Sequence, residues 1–135
     1  MPDLIFIDDD IMTLKIYRMI LQKVLPGIPI QTFTNPELGL AYIRSIYAVQ
    51  GASKAVLFLD INMPVLDGWE VLDIFDRFSE IIKRHIKIFV LSSSIDMRDM
   101  LRAEAHLLVS GFIAKPLTMV ELKIVLSKYE GIILA

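Results

Sequence analysis

The feature that most constrains this chain is an alternation. Short apolar runs of strand length ("LIFI", "IPIQTF", "AVLFL", "IKIFVL" and "GFI") are each followed by a longer segment that reads as helix, five times over. The runs are rich in β-branched or aromatic residues and predict strands buried on both faces. Hydrophobic residues make up 55% of the 135 residues, enough for one domain with a real core. A helix between consecutive strands returns the chain in the same direction. The spacing therefore predicts an α/β fold with a mostly parallel sheet, right-handed crossovers and helices on both faces.

The helix signals are local. Asp10 caps a first helix whose face is Leu14, Tyr17, Leu21 and Val24, and Pro26-Gly27 ends it. Asn35-Pro36 reads as an N-cap followed by a proline at the first helical position. A third helix is expected from Gly68 to about Lys83, and a fourth from a cap at Ser93 or Ser94 to Val109. "TMVE" at Thr118–Glu121 is a capping-box pattern, and Leu122, Val125, Leu126 and Tyr129 form the stripe of the fifth helix. The seven methionines show no stripe and read as core filler.

Several classes are excluded or disfavoured. With no cysteine there is neither a disulfide framework nor a thiolate metal site. A net charge of −2 gives no electrostatic case for nucleic-acid binding. No apolar stretch approaches the roughly 20 residues of a membrane helix, and no signal-peptide layout is evident, so a cytoplasmic location is expected.

In parallel α/β sheets, function gathers where loops leave the carboxyl ends of the strands. The first strand ends in Asp8, Asp9 and Asp10, the third in Asp60, the fourth in Ser92, and the fifth runs into Lys115-Pro116. The second ends without an obvious functional group. If strands one and three are neighbours, three carboxylates converge. Two like charges about 4 Å apart repel by on the order of 4 kcal/mol at an effective dielectric near 20, so the cluster needs cations. Lys115 supplies one, and a cluster of hard oxygen ligands suits Mg²⁺, with Mn²⁺ as a substitute. An ionised aspartate there can act as a nucleophile and form an acyl phosphate. Lys115 would neutralise one phosphoryl oxygen and Ser92 would donate to another.

Taken singly, these residues have plainer readings. Asp8 and Asp9 read equally well as a polar strand end, and Lys115 as a solvated lysine. Asp10 is a helix cap, Asp67-Gly68 is turn chemistry, and Trp69 is a helix-start residue partly covering the site. His85 and His106 have no partner at metal-ligand spacing.

Together the motifs "IDDD", "LDINMPVLDG", "FVLSSS" and "AKPL" resemble the receiver domain of the two-component response-regulator family, from about Asp3 to Tyr129. The resemblance implies a flavodoxin-like (βα)5 doubly wound sheet with strand order 2-1-3-4-5. It implies Asp60 as phosphoacceptor, and a metal held by Asp8, Asp9, Asp60 and the backbone carbonyl of Asn62. Ser92 matches the switch hydroxyl, Phe112 the aromatic switch position, and Lys115 the lysine before a cis proline, here Pro116. The implied donor is a histidine kinase or phosphotransfer protein. The implied output is a change in the face of helix four, strand five and helix five that regulates a partner protein. The family role is a switch rather than an enzyme, catalysing only its own phosphorylation and dephosphorylation. The chain is expected to be a single receiver domain, 1–135, without an output domain, and monomeric, with dimerisation on phosphorylation left open.

The sequence departs from the family pattern in places. Serine stands at 92 where threonine is more usual, and Phe112 lacks the hydroxyl of a tyrosine. The segments "YAVQGASK" and "FSEIIKRH" are longer than the family minimum. Two other classes compete. A haloacid-dehalogenase-type hydrolase would use the same aspartyl phosphate but needs a second aspartate where this chain has Asn62. A receiver-like interaction module would have lost the acceptor, an acidic residue or the lysine, and none is lost.

Overall fold

The computed structural model describes residues 2–94 and 96–128. The five apolar runs form β1 (Asp3–Ile7), β2 (Ile30–Phe33), β3 (Ala55–Asp60), β4 (Ile86–Ser92) and β5 (Val109–Ala114). All pair in parallel, in the order β2-β1-β3-β4-β5. The chain steps outward from β1 to β2, then reverses past β1 to build β3, β4 and β5. The reversal falls between β1 and β3, which puts the topological switch point beside the ends of those two strands.

Among the described residues six helices connect and cover the sheet: α1 (Ile11–Val24), α2 (Pro36–Ile46), α3 (Gly68–Asp76), α4 (Glu80–His85), α5 (Met97–Ala105) and α6 (Met119–Leu126). Alternate strand residues feed two cores. Leu4, Phe6, Val56, Phe58, Phe89 and Leu91 meet α1 and α6 on one face. Ile5, Ile7, Leu57, Leu59, Ile88 and Val90 meet α2, α3 and α5 on the other. Every residue of β3 is buried, so its run shows no polar alternation. On the α1/α6 face Phe58 stacks between Phe6 and Phe89, with ring centroids 4.9 and 6.0 Å away.

The caps follow the sequence where a side chain can reach the first turn. Asp10 accepts from the backbone N–H of Met12 and Thr13, and Asn35 from those of Glu37 and Leu38. Asp67/Glu70 and Thr118/Glu121 both close reciprocal capping boxes. Leu122, Val125 and Leu126 are buried as expected, and Tyr129 lies outside the described residues.

Four expectations are corrected. The third helix does not run to Lys83: α3 stops at Asp76, where the Arg77 N–H turns back to Ile74, and Ser79 caps a separate helix, α4. The next helix begins after Asp96, whose carboxylate accepts from the Arg98 N–H, rather than after Ser93 or Ser94. It ends at Ala105, which frees Val109 for β5. Val24 leaves the buried face of α1 at 41% exposure, and Leu25, just past the helix end, is buried in its place. Finally, only some methionines fill core. Met63 is buried, but Met12, Met19 and Met97 are exposed.

The two longer segments meet near the amino end of the sheet. Lys54 Nζ donates to the Arg84 carbonyl at 3.3 Å, and Gln50, Ile81 and His85 complete a cavity of about 210 Å³ around this contact. No helix among the described residues is long and apolar enough to cross a membrane.

Candidate functional site

The parallel register carries polar residues to a common edge. Ile7 pairs with Phe33 on one side and Leu59 on the other, so the residues that follow, Asp8 and Asp60, emerge side by side. Asp60 is the last residue of β3 and pairs with Leu91, while Ser92 ends β4 opposite Ala114. The Lys115 N–H then donates to the Ser92 carbonyl at 2.8 Å, which turns β5 toward the carboxylates. The Lys115–Pro116 peptide is cis, as the resemblance implies.

One oxygen each from Asp8, Asp9 and Asp60 lies within 4.8 Å of the others. Asp8 and Asp60 are buried and Asp9 is exposed. Lys115 Nζ reaches 2.8 Å from Asp8 Oδ2 and 3.4 Å from Asp60 Oδ2. The remaining carboxylate oxygens are held by backbone: the Asp10 N–H donates to Asp8 Oδ1, and the Asn62 N–H to Asp60 Oδ1, each at 2.9 Å. These bonds hold the Asp8 and Asp60 carboxylates in place.

Burial, the largest influence, raises the Asp60 carboxyl above its ordinary value, and the Asp8 charge adds to it. The Asn62 N–H and Lys115 oppose that rise without cancelling it. For Lys115, burial pushes the ammonium down. The hydrogen bond to Asp8 and the charges of Asp8 and Asp60 outweigh it and hold the group above its usual value. Three carboxylates face one ammonium, so negative charge is left over when all are ionised. That excess, offered by oxygen ligands alone, fits a hard divalent cation.

Ser92 is fully buried beside this cluster. Its hydroxyl donates toward Asn62 Oδ1 and the Ser94 carbonyl, both at 2.9 Å, and accepts from the Ser94 N–H at 3.2 Å. Phe112 is half-buried on β5, paired with Val90 and packed on the α2/α3/α5 core. Trp69 is buried as the second residue of α3, with the Arg102 guanidinium 4.4 Å from its ring centre. It is covered by α5 and does not line the cleft beside the carboxylates. Of the two histidines, His106 caps α5 and accepts the Leu108 N–H, and His85 sits on α4.

The cleft itself, of about 310 Å³, opens beside Asp9 between Asn35 and Pro36 on one side and Met63, Pro64 and Leu66 on the other. Strand two ends in Phe33, and the loop after it supplies this wall, which the sequence alone did not suggest. The other contribution missed by the sequence reading is the Asn62 side chain. Its bond to Ser92 joins residues 30 positions apart, a distance at which no local pattern signals a contact.

The response regulator receiver domain profile matches residues 4–127. Comparison with curated protein sequences finds no match. Among solved structures, a two-component response regulator from Cytophaga hutchinsonii is 30% identical with a TM-score of 0.82, covering 94% of this chain and 95% of its own. A response regulator receiver protein from Dyadobacter fermentans is 26% identical with a TM-score of 0.85, covering 95% and 97%. The chemotaxis protein CheY4 of Vibrio cholerae shares the fold, at 22% identity and a TM-score of 0.73 over 95% and 98% of the two chains. The strand order, the acidic edge and the profile match agree: the chain belongs to the response regulator receiver domain family, a family of phosphoacceptor signalling domains.

Proposed function

We propose that this chain is a phosphoacceptor switch of a two-component system or phosphorelay, with Asp60 as the residue phosphorylated. The observation that carries the reading is Asp60 itself: a carboxylate buried at a strand end, within 3.4 Å of a lysine and adjoining two further carboxylates. Such an arrangement costs folding stability and contributes chemistry.

Asp8, Asp9 and Asp60, with the Asn62 backbone carbonyl, would hold Mg²⁺, Mn²⁺ substituting. When bound, the ion supplies charge neutralisation for the carboxylates and for the phosphoryl oxygens. Asp60 attacks the phosphorus of a phosphohistidine on a kinase or phosphotransfer protein. The new O–P bond forms as the N–P bond breaks, and the imidazole nitrogen keeps the electron pair and takes up a proton. Lys115 balances one phosphoryl oxygen and Ser92 donates to another, contributing position and charge rather than covalent chemistry. Reversal is hydrolytic: water adds to phosphorus and Asp60 leaves as carboxylate.

Drawing Ser92 and Lys115 toward the new dianion biases the neighbouring face between two conformers. Because α4 is an extra helix here, that face is α5, β5 and α6, with Phe112 on its central strand. The downstream partner is a protein that docks there, and the location fitting this role is the cytoplasm.

The test is incubation with a small acyl-phosphate donor and Mg²⁺, read by intact-mass spectrometry. One added phosphoryl group is expected on the native chain and none on Asp60→Asn. Labelling that persists in Asp60→Asn would overturn the assignment.

A further inference from the structure

We propose that the Asn62 carboxamide is a latch that holds the Ser92 hydroxyl away from Asp60 until a phosphoryl group arrives. This rests on the phosphoacceptor reading and adds a positioning role for a side chain whose backbone alone was implicated there.

The geometry is unequal on the two sides of the contact. Ser92 has no solvent exposure, so its hydroxyl cannot turn to water. Asn62 Oδ1 and the Ser94 carbonyl each stand 2.9 Å from its oxygen and compete for its one hydrogen, and that oxygen accepts from the Ser94 N–H. None of this capacity is spent on Asp60. Asn62, by contrast, is exposed, and its backbone N–H is already fixed on Asp60 Oδ1 at 2.9 Å. One residue thus touches both the acceptor and the hydroxyl that is to serve it.

Breaking the contact therefore costs the two partners differently. The Asn62 carboxamide loses little, because water replaces Ser92 at once. Ser92 is left with the Ser94 carbonyl alone for its one hydrogen and gains most from a stronger acceptor in exchange. A phosphoryl oxygen on Asp60 is such an acceptor, charged and stronger than an amide oxygen. The latch opens when the product of the reaction is in place and stays shut otherwise, which keeps the resting population of the active conformer low.

The test uses beryllofluoride, a phosphoryl mimic, on the full chain, followed by backbone amide resonances. Asn62→Ala removes the latch from an exposed position, and a thermal melt confirms that the variant folds. Its affinity for beryllofluoride is expected to rise by about two- to tenfold, the worth of one ordinary hydrogen bond. Before any mimic is added, the Ser92 and Ser94 resonances should already lie displaced toward their loaded positions. In a Ser92→Ala background, Asn62→Ala should change the affinity hardly at all. An equal gain in that background, or unmoved resting resonances in Asn62→Ala, would overturn the latch. If the native chain takes up no beryllofluoride, the phosphoacceptor reading fails, and the resting resonances alone decide the latch.

Discussion

Lys115 Nζ lies 2.8 Å from Asp8 Oδ2, closing 107 positions of sequence with a contact between two largely buried charges. The same ammonium reaches Asp60 at 3.4 Å, so one cation serves two carboxylates. Removing it strands both. Lys115→Met is expected to destabilise the fold by about 3 kcal/mol at neutral pH, because the uncompensated charges stay buried. Urea melts in the presence of a chelator measure this. Adding Asp60→Asn to Lys115→Met should restore part of the loss, and strictly additive effects of the two substitutions would show that the ammonium and Asp60 do not interact.

Asp60 on its own has the opposite sign. Burial and the Asp8 charge raise its folded value above 3.8, so the native state holds this proton more tightly than the unfolded chain. Between the ordinary value and the raised one, stability falls as pH rises, and the deficit persists at neutral pH. Without divalent ions, Asp60→Asn should therefore be more stable than the native chain at pH 7. The gain should shrink as pH is lowered toward the ordinary carboxylate range. A pH series of thermal melts checks it, and a neutral-pH loss of stability would contradict the account.

Asp9 is the exposed member of the acidic group, so its role can be separated from folding. Asp9→Asn should leave the melting transition nearly unchanged, as exposed substitutions generally do. It should weaken Mg²⁺ binding by on the order of tenfold, equivalent to about 1.4 kcal/mol, since one charged ligand is lost. Calorimetric titration reads the affinity. An unchanged affinity would place the ion elsewhere.

Much of this organisation was legible because it is local. The buried strands are continuous apolar runs, and Asp10, Asn35 and Thr118 announce helices with side chains that reach only two or three residues. The candidate site was legible for a different reason: parallel pairing brings strand ends to one edge, so Asp8, Asp60, Ser92 and Lys115 meet whatever lies between them. What could not be read depends on tertiary contact. The periodic pattern continues through Arg77 to Ser79, yet the chain turns there and Ser79 starts a new helix, its N-cap outweighing continuation. Val24 fits the α1 stripe, but the buried place goes to Leu25 beyond the helix end. Asp96 displaces the serines as a cap because its carboxylate receives both the Arg98 backbone and side chain. The Ser92–Asn62 bond spans two strand ends and leaves no trace in either segment.

The glycine that opens α3 tests how tightly the loop after Asp60 is built. A Cβ on Gly68 would stand 2.6 Å from Ile61 Cα and 2.9 Å from the Asp60 carbonyl oxygen, both backbone atoms at the end of β3. A Cβ on Gly39 meets Ile7 Cδ1 at 2.7 Å and Cγ1 at 3.0 Å, side-chain rather than backbone atoms. Both glycines lie in helices, where alanine alone would be preferred by about 1 kcal/mol. Gly39→Ala should consequently be close to neutral, while Gly68→Ala should cost on the order of 2 kcal/mol by forcing the loop off β3. The same displacement moves Ile61 and the Asn62 N–H that orients Asp60. Phosphoryl incorporation should therefore slow in Gly68→Ala under conditions where the variant remains folded, and stay at the native rate in Gly39→Ala. Stability by urea titration and labelling rates by mass spectrometry, measured on both variants, separate a rigid loop from one that yields.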